Sequence, residues 1–380
     1  MNVTGKYIKH FNNIIDEKNR TIQLAVVPGH IRSIEPEFQP GAVSPAGPQD
    51  FTSPVVYTLA NGEKWTVSAA EWGNSVLGQY GLFGDPNITV MDGRYYIYPT
   101  TDGVSGWKST YFKAFSSDDL VHWNDEGVIL DLKDVPWSLG VYGWAPTAVK
   151  RNGKYYFYYS SGNKVNDHKD LAVAVAESPN GPFVDKGEPL MPGGILEGQM
   201  IDSQVFIDDD GTPYLFWGNG QLYVAKLSED MISFDGEIKR ITPEHFTEGV
   251  FVVKRGGKYH FTWSEGNTER ADYLVRYGVS DSPFEAPVGC DIILSQEHTN
   301  DSRIKCTGHH SILNVPGTDD WYICYHRFNI PTTVEMGEGY YAGSHREPAI
   351  DKLEFDGNGR IKPVLATLEG ITTPVKGLIK

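Results

Sequence analysis

Short apolar segments separated by tight polar turns recur over most of the 380-residue chain. The segment IDSQVFIDDDGTPYLFWG, residues 201–218, shows the unit: an apolar strand, a turn at Asp208–Gly211 and a second strand of aromatic and aliphatic residues. Four variants of this hairpin are ITVMDGRYYIYPT, TAVKRNGKYYFYYSSG, VFVVKRGGKYHFTWSEG and SILNVPGTDDWYICYHRF. No long segment has helical periodicity, so the chain is predicted to be all-β.

The spacing of the five hairpins indicates how their strands are arranged. Their aromatic landmarks lie about 45 to 63 residues apart, as in propeller blades of four strands. Each of the first four hairpins is followed by a third apolar strand, a turn containing serine and an aromatic residue that would begin an outer strand. The predicted fold is therefore a five-bladed β-propeller.

The two ends of the chain depart from this repeat. Residues 1–78 are expected to form an N-terminal extension that packs on a propeller of residues 79–380, either as an added layer or as a contact in a homo-oligomer. Within the extension, residues 22–27 and 55–72 are predicted to be strands, the second with a hairpin turn at Asn61–Gly62, and Gln39–Pro54 an irregular connection. A last hairpin, at about residues 345–370 with its turn at Asp356–Gly359, is expected to complete the fifth blade.

In each hairpin, one residue about 10 to 12 positions before the second strand is a candidate for a functional site. The first strand of every blade lines the central channel, so residues at one offset should form a ring. The ring would consist of Asp85, Trp144, Asp202, Glu248 and His309.

Three carboxylates in one partly dry channel repel one another, and their pKa values must move apart. A fold gains nothing from this arrangement, whereas a glycosidase needs one protonated and one ionised carboxyl group. The alternative is that acidic residues serve as turn or capping residues at strand ends, which is the better interpretation of Asp208, Asp209 and Asp210.

At these residues the chain resembles glycoside hydrolase family 43, five-bladed propellers that remove arabinose or xylose from plant polysaccharides. The matching segments are GDPNITVMDGRYYIYPT, WAPTAVKRNGKYYFYYS, IDSQVFIDDDGTPYLFWG, EGVFVVKRGGKYHFTWSEG, TGHHSIL with WYICYHR, and HREPAIDKLEFDGNGRIKPV, which together cover about residues 79 to 370. The resemblance implies that Asp85 is the general base, Asp202 the carboxylate that orients the acid and tunes its pKa, and Glu248 the general acid.

The resemblance also implies that His309 lies at the channel centre beside a water or a calcium ion, which it would contact only through water. It implies that Arg346 contacts the sugar and the acid cluster, and that no cofactor is required. Two positions depart from the family pattern, Gly84 where Ala is usual and Val250 where Pro is common. Neither change removes a functional group.

Two tryptophans are candidates for substrate contacts. Trp144, in the ring, could stack on a sugar face or pack in the core. Trp107 lies in the loop DGVSGWKS, which suits the channel mouth, although such aromatics also pack on their own loop. His310 follows His309, and neighbours on a strand point to opposite faces, so a two-histidine metal site is not expected.

These roles imply an inverting hydrolysis in which Glu248 protonates the leaving oxygen while Asp85 deprotonates a water on the opposite face of the sugar. The two carboxyl groups are expected to lie roughly 6.5 to 9.5 Å apart, whereas a separation near 5 Å would favour a retaining enzyme. The expected activity is exo-acting release of terminal α-L-arabinofuranose, β-D-xylose or both from oligosaccharides derived from arabinoxylan or arabinan. An endo-arabinanase and a non-catalytic propeller that binds sugar or protein are the alternatives.

Charge and composition narrow the partners. A formal net charge of −16 argues against nucleic acid and anionic membranes and suits a neutral oligosaccharide. No run of about 18 apolar residues and no signal-peptide pattern occurs. Cys290, Cys306 and Cys324 are sparse and odd in number, as in reduced thiols, so a cytoplasmic location is expected.

Overall fold

The computed structural model describes residues 2–6, 8, 13–26, 34–39, 51, 53–70, 74–166, 168–330, 332 and 344–375. Strands dominate these residues. The strands before residue 80 are β1 Asn2–Lys6, β2 Ile14–Asp16, β3 Thr21–Ala25, β4 Glu35–Gln39, β5 Val55–Thr58 and β6 Lys64–Ala70. Short 3-10 helices occur at Ser105–Trp107 and Leu132–Asp134.

The rest of the chain forms five consecutive antiparallel sheets, which we call blades 1 to 5. Blade 1 contains β7 Phe83–Met91, β8 Arg94–Thr101, β9 Tyr111–Ser117 and β10 Trp123–Asp131, and blade 2 contains β11 Trp144–Arg151, β12 Lys154–Gly162, β13 Lys169–Ala176 and β14 Val184–Asp185. Blade 3 contains β15 Gln204–Ile207, β16 Pro213–Trp217, β17 Tyr223–Leu227 and β18 Phe234–Arg240, and blade 4 contains β19 Glu248–Arg255, β20 Lys258–Glu265, β21 Leu274–Ser280 and β22 Val288–Leu294. Blade 5 contains β23 Gly308–Asn314, β24 Trp321–Phe328 and β25 Arg346–Leu353.

The blades close into a ring through their first strands. β7 contacts β11, β11 contacts β15, β15 contacts β19, β19 contacts β23, and β23 contacts β7 again. Aromatic side chains fill the space between neighbouring blades: Phe112 of blade 1, for example, packs edge-on against Phe157 of blade 2 at 5.1 Å. The predicted all-β propeller is confirmed, and its blades follow the five sequence repeats.

The predicted hairpins form because their turn residues satisfy the backbone locally. In blade 3 the amide of Asp208 donates to the carbonyl of Thr212 at 3.0 Å, and Gly211 adopts a left-handed φ of 85°. The aromatic strand β16 that follows is buried throughout. The local sequence therefore fixes both the turn and the register of β15 with β16.

Blade 5 departs from the prediction for its last hairpin. β25 is the third strand of the blade, and the tight turn after it forms, with Phe355 bridged to Ile361. Beyond that turn the chain leaves for blade 4, where the amide of Val364 donates to the carbonyl of Ile293 at 2.7 Å. Among the described residues, only the first arm of the predicted hairpin therefore joins blade 5.

The N-terminal strands pair with one another and not with the strands of the five blades. β2, β3, β6 and β5 make a four-stranded sheet with its own core, which includes Leu24, Tyr57 and Val67, and β1 pairs with β4. Strands occur in both predicted ranges and the Asn61–Gly62 turn forms. Residues 27, 71 and 72 of the predicted strands, and residues 40–50 and 52 of the predicted irregular connection, lie outside the described residues. None of the helices among the described residues has the length and apolar character that a membrane span requires.

Candidate active site

Four of the five inner strands contain a bulge near their beginning. In β7 the pair Gly84–Thr100 is followed by the pair Asn87–Tyr98, so β7 contributes one residue more than its partner. β11, β19 and β23 show the same shift. One residue inside each bulge has a left-handed backbone, as Asp85 does with φ 48° and His309 with φ 38°. Asp202, just before β15, has φ 59°.

Two successive residues therefore stand at the channel end of each inner strand. These pairs are Gly84-Asp85, Trp144-Ala145, Ile201-Asp202, Glu248-Gly249 and Gly308-His309. The predicted ring residue is the second member in blades 1, 3 and 5 and the first member in blades 2 and 4. The premise that all five occupy one equivalent position needs correction, because a count along the sequence cannot show the bulge.

The predicted residues nevertheless meet at one cavity of about 190 Å³. The cavity is lined by all seven candidates, namely Asp85, Trp107, Trp144, Asp202, Glu248, His309 and Arg346. Gln199, Asn219 and Thr268 also line it and were missed by the sequence analysis. They lie in connecting loops outside the hairpin repeat, so no sequence signal singles them out.

Asp85 is surrounded by nitrogen atoms from blade 5. Its Oδ1 lies 2.5 Å from Nη1 of Arg346, 3.3 Å from Nδ1 of His309 and 3.2 Å from Nδ1 of His326. Burial acts to raise the pKa of Asp85, but Arg346, assisted by the two histidines, outweighs it and holds that pKa well below its ordinary value. Asp85 is therefore an ionised carboxylate.

Arg346 is held in place from three sides. Its backbone amide and its Nε both donate to Oδ2 of Asp102, at 3.0 and 2.8 Å, and its guanidinium lies 4.7 Å from the centre of the Trp107 ring. On the remaining side it rests on Gly84, where a Cβ would lie 2.2 Å from its Cζ. The sequence analysis missed Asp102, a buried carboxylate just after β8, because it lies outside the repeated offset.

Glu248 and Asp202 form the opposite side of the cavity. Glu248 accepts hydrogen bonds from Oη of Tyr273 at 2.7 Å and from Nδ2 of Asn219 at 2.5 Å. Ligand atoms of Glu248, Asp202 and His309 all lie within 4.8 Å of one another. Burial, and next the charge of Glu248, raise the pKa of Asp202 well above its ordinary value, so the Asp202–Glu248 pair retains a proton.

Both tryptophans line the cavity, so Trp144 is not enclosed in the core, and their contact with a sugar stays a prediction. Nε1 of Trp144 donates to the backbone carbonyl oxygen of Trp107 at 2.8 Å, which ties the Trp144 side chain to the loop that contains Trp107. Nε1 of Trp107 lies 3.4 Å from the carboxylate of Glu269, which belongs to the loop after β20, rather than packing only on its own loop. This contact joins blades 1 and 4 at the edge of the cavity.

A second, smaller cavity of about 20 Å³ is lined by Asp85, Asp202, Gln204, His309 and other channel residues. It is large enough for about one water molecule. Within the described part of the chain, Oδ2 of Asp202 and Oε1 of Gln204 are buried without a hydrogen-bond partner. His310 differs from His309, because its Nε2 bonds Oγ1 of Thr262 at 2.6 Å and burial lowers its pKa to about 3.

Comparison with known proteins agrees with this geometry. The model of glycosyl hydrolases family 43 matches residues 76–361. The chain is 35% identical over 317 residues to a β-D-galactofuranosidase of Aspergillus niger, covering 80% of this chain and 88% of the relative, and 29% identical over 338 residues to a xylosidase/arabinosidase of Bacteroides ovatus, covering 75% and 94%. A solved β-xylosidase/α-arabinofuranosidase from a compost metagenome, in complex with xylotriose and free of calcium, is 26% identical with a TM-score of 0.62 over 78% of this chain and 97% of that one. The chain thus belongs to glycosyl hydrolases family 43 and is a glycosidase.

Proposed function

We propose that the chain is an inverting exo-glycosidase that releases terminal α-L-arabinofuranose, with terminal β-D-xylose as a second substrate, from oligosaccharides derived from arabinoxylan or arabinan. One observation carries the proposal. Two sets of carboxylates in one cavity have pKa values shifted in opposite directions, because Arg346 keeps Asp85 ionised while burial and Glu248 keep a proton on the pair that includes Asp202. Such a separation is what acid and base catalysis by two carboxyl groups requires.

In this proposal Asp85 takes a proton from a water molecule that attacks the anomeric carbon. Glu248 gives a proton to the glycosidic oxygen as the bond from that oxygen to the anomeric carbon breaks. Asp202, within 4.8 Å of Glu248, favours the protonated state of the pair. Arg346 keeps the base ionised and lies where it can also contact a sugar hydroxyl.

The shape of the cavity supports action on a chain end. Its volume of about 190 Å³ is below the 300 to 1,000 Å³ of typical ligand pockets and suits one sugar unit. The contact of Trp107 with Glu269 spans from blade 1 to blade 4 and narrows one side of the entrance. A linear arabinan segment bound in an endo manner would need an open groove there.

The relatives favour a second candidate sugar. The Aspergillus niger relative is named for β-D-galactofuranose, and the Bacteroides ovatus relative for xylose and arabinose. α-L-Arabinofuranose and β-D-galactofuranose have the same arrangement of ring hydroxyl groups and differ in the exocyclic side chain. The same base and acid could therefore act on both, so galactofuranoside hydrolysis is the alternative to test.

Calcium, implied by the family resemblance, fits the residues of the channel as a hydrated ion. The unpaired Oδ2 of Asp202 and Oε1 of Gln204 are oxygen ligands of the kind calcium prefers, and His309 would contact the ion through water. The ion would supply positive charge that lowers the pKa of nearby carboxyl groups. Bound calcium should raise the melting temperature, which a thermal scan with and without a chelator would show.

A panel of nitrophenyl glycosides tests the function. We expect hydrolysis of the α-L-arabinofuranoside, slower hydrolysis of the β-D-xyloside and no cleavage of internal bonds in linear arabinan. Proton NMR of the first product formed should show inverted anomeric configuration. On oligosaccharides, whose leaving groups are basic, Asp85→Asn and Glu248→Gln should each lower kcat by orders of magnitude while leaving the fold intact. Full activity of Glu248→Gln on oligosaccharides, or a product of retained configuration, would refute the proposal.

A further inference from the structure

Glu248 is held through both of its carboxylate oxygens, each by a different kind of donor. Oε1 accepts the hydrogen bond from Oη of Tyr273 at 2.7 Å, and Oε2 accepts the one from Nδ2 of Asn219 at 2.5 Å. Asn219 lines the cavity, whereas Tyr273 is 0% exposed. Oε2 therefore faces the substrate and Oε1 faces the interior.

Tyr273 lies just before β21 and packs against two residues of blade 5. Its ring is parallel to that of His326, with the centres 5.5 Å apart and the planes inclined by 7°. It also lies against Gly308, where an added Cβ would be 2.4 Å from its Cε1. Residues of blade 5 therefore fix the position of the Tyr273 hydroxyl group, which donates a hydrogen bond to Glu248 of blade 4.

The hydroxyl group of Tyr273 remains a donor. Burial, and next the charge of Glu248, raise the pKa of Tyr273 well above its ordinary value, so the phenol stays protonated. An oxygen that accepts this hydrogen bond is a poor place for the acidic proton. The proton is thereby directed to Oε2, where the glycosidic oxygen can replace the amide of Asn219.

We propose that Tyr273 is a positioning residue that makes Oε2 of Glu248 the atom from which the proton is delivered. The inference rests on the proposed role of Glu248 as the general acid. When the bond between the anomeric carbon and the glycosidic oxygen breaks, its electron pair goes to that oxygen, which takes the proton from Oε2 and leaves Glu248 as a carboxylate. Water that adds to the anomeric carbon gives its proton to Asp85.

The dependence on the leaving group distinguishes this role from a structural one. A leaving group of low pKa departs without a proton, so a fault in proton delivery matters little for it and much for a basic leaving group. Tyr273→Phe removes the hydroxyl and keeps the ring against His326 and Gly308. We expect kcat/KM to fall by about 10- to 100-fold for phenyl glycosides and oligosaccharides, and by less than about 2-fold for the dinitrophenyl glycoside of the same sugar.

Two variants serve as references. Tyr158→Phe is the matched control, because the Tyr158 hydroxyl is equally buried and donates to the carbonyl of Met231 at 2.5 Å, away from the cavity. Tyr158→Phe should leave unchanged the ratio of kcat/KM for the phenyl glycoside to kcat/KM for the dinitrophenyl glycoside. Glu248→Gln should show the same dependence on the leaving group as Tyr273→Phe, in a stronger form.

The outcomes separate the two proposals. Strong leaving-group dependence in Glu248→Gln with an equal loss for all substrates in Tyr273→Phe would overturn the inference about Tyr273 and leave the acid in place. Equal losses in Glu248→Gln would overturn the acid assignment as well. If Tyr273→Phe does not fold, Gly308→Ala is the substitute, because it moves the Tyr273 hydroxyl group away from Glu248 without removing it. This variant must show the same dependence on the leaving group. Equal losses of kcat/KM for all substrates would overturn the inference.

Discussion

Replacing Gly84 with alanine would put a methyl group where the guanidinium of Arg346 now lies. The new Cβ would be 2.2 Å from Cζ, 2.4 Å from Nη2 and 2.5 Å from Nε, all far inside van der Waals contact. The ring of Trp107, 4.7 Å from Cζ, and the bonds from Arg346 to Asp102 limit the ways in which the side chain can yield. The guanidinium must move by about 1 Å or more to reach ordinary contact.

This movement breaks the hydrogen bond from Nη1 to Oδ1 of Asp85, now 2.5 Å long. A hydrogen bond between charged groups is worth about 1.5 to 3 kcal/mol, which corresponds to about one to two pH units in the pKa of the carboxyl group. Arg346 holds the pKa of Asp85 below its ordinary value, so its displacement must raise that pKa. The base is then protonated sooner as the pH falls, and the acidic limb of the kcat/KM profile moves to higher pH.

The assay is kcat/KM for the best nitrophenyl substrate between about pH 4 and 9, with circular dichroism to check the fold. Gly357→Ala is the matched control, since Gly357 lies in a turn where an added Cβ meets nothing within 4 Å. We expect the Gly84→Ala profile to shift and the control profile to coincide with that of the wild type. Coincident profiles for all three proteins would refute the claim that Arg346 sets the proton affinity of Asp85.

Two further changes test the cavity entrance and the closure of the ring. Trp107→Ala removes the cavity wall that contacts Glu269, so steady-state kinetics should show KM raised by about tenfold with a smaller change in kcat; an unchanged KM would contradict a sugar contact. Asp351→Ala removes the carboxylate that accepts hydrogen bonds from the buried donors of Asn74 and Tyr325 at 2.8 and 2.7 Å. Urea unfolding should therefore show a free energy of unfolding lower by about 2 to 6 kcal/mol, with kcat retained. A decrease below about 0.5 kcal/mol would contradict this.

The sequence predicted most reliably what short-range chemistry determines. The hairpin at Asp208–Gly211 forms as expected because its turn residues satisfy the backbone within a few positions. The turn at Asp356–Gly359 also forms, but the chain beyond Ile361 packs on blade 4 instead of continuing blade 5. Turn chemistry is local, whereas the sheet that receives the following segment is decided by packing between residues distant in the sequence.

The three predicted carboxylates of the site could be found by comparing the repeats, whereas two of the missed residues matter only through a partner. Asp85, Asp202 and Glu248 stand in repeated hairpins, so a comparison of the repeats finds them. Asp102 and Tyr273 lie at or beyond strand ends, and each matters only because it bonds a residue from another part of the chain, Arg346 or Glu248. A repeat search has no access to such pairs.

The glycines of the inner ring hold information that the search for carboxylates overlooked. Three of the five residue pairs at the channel ends of the inner strands contain a glycine, and at each one a functional side chain occupies the space of the missing Cβ. A Cβ on Gly84 would lie 2.2 Å from Arg346, one on Gly308 2.4 Å from Tyr273, and one on Gly249 3.2 Å from His309. Each of these side chains in turn contacts a carboxylate or lies beside one. A glycine next to a candidate site residue in a strand therefore predicts that a second side chain packs closely against that glycine. The position of the glycine shows where the side chain that positions a carboxylate lies.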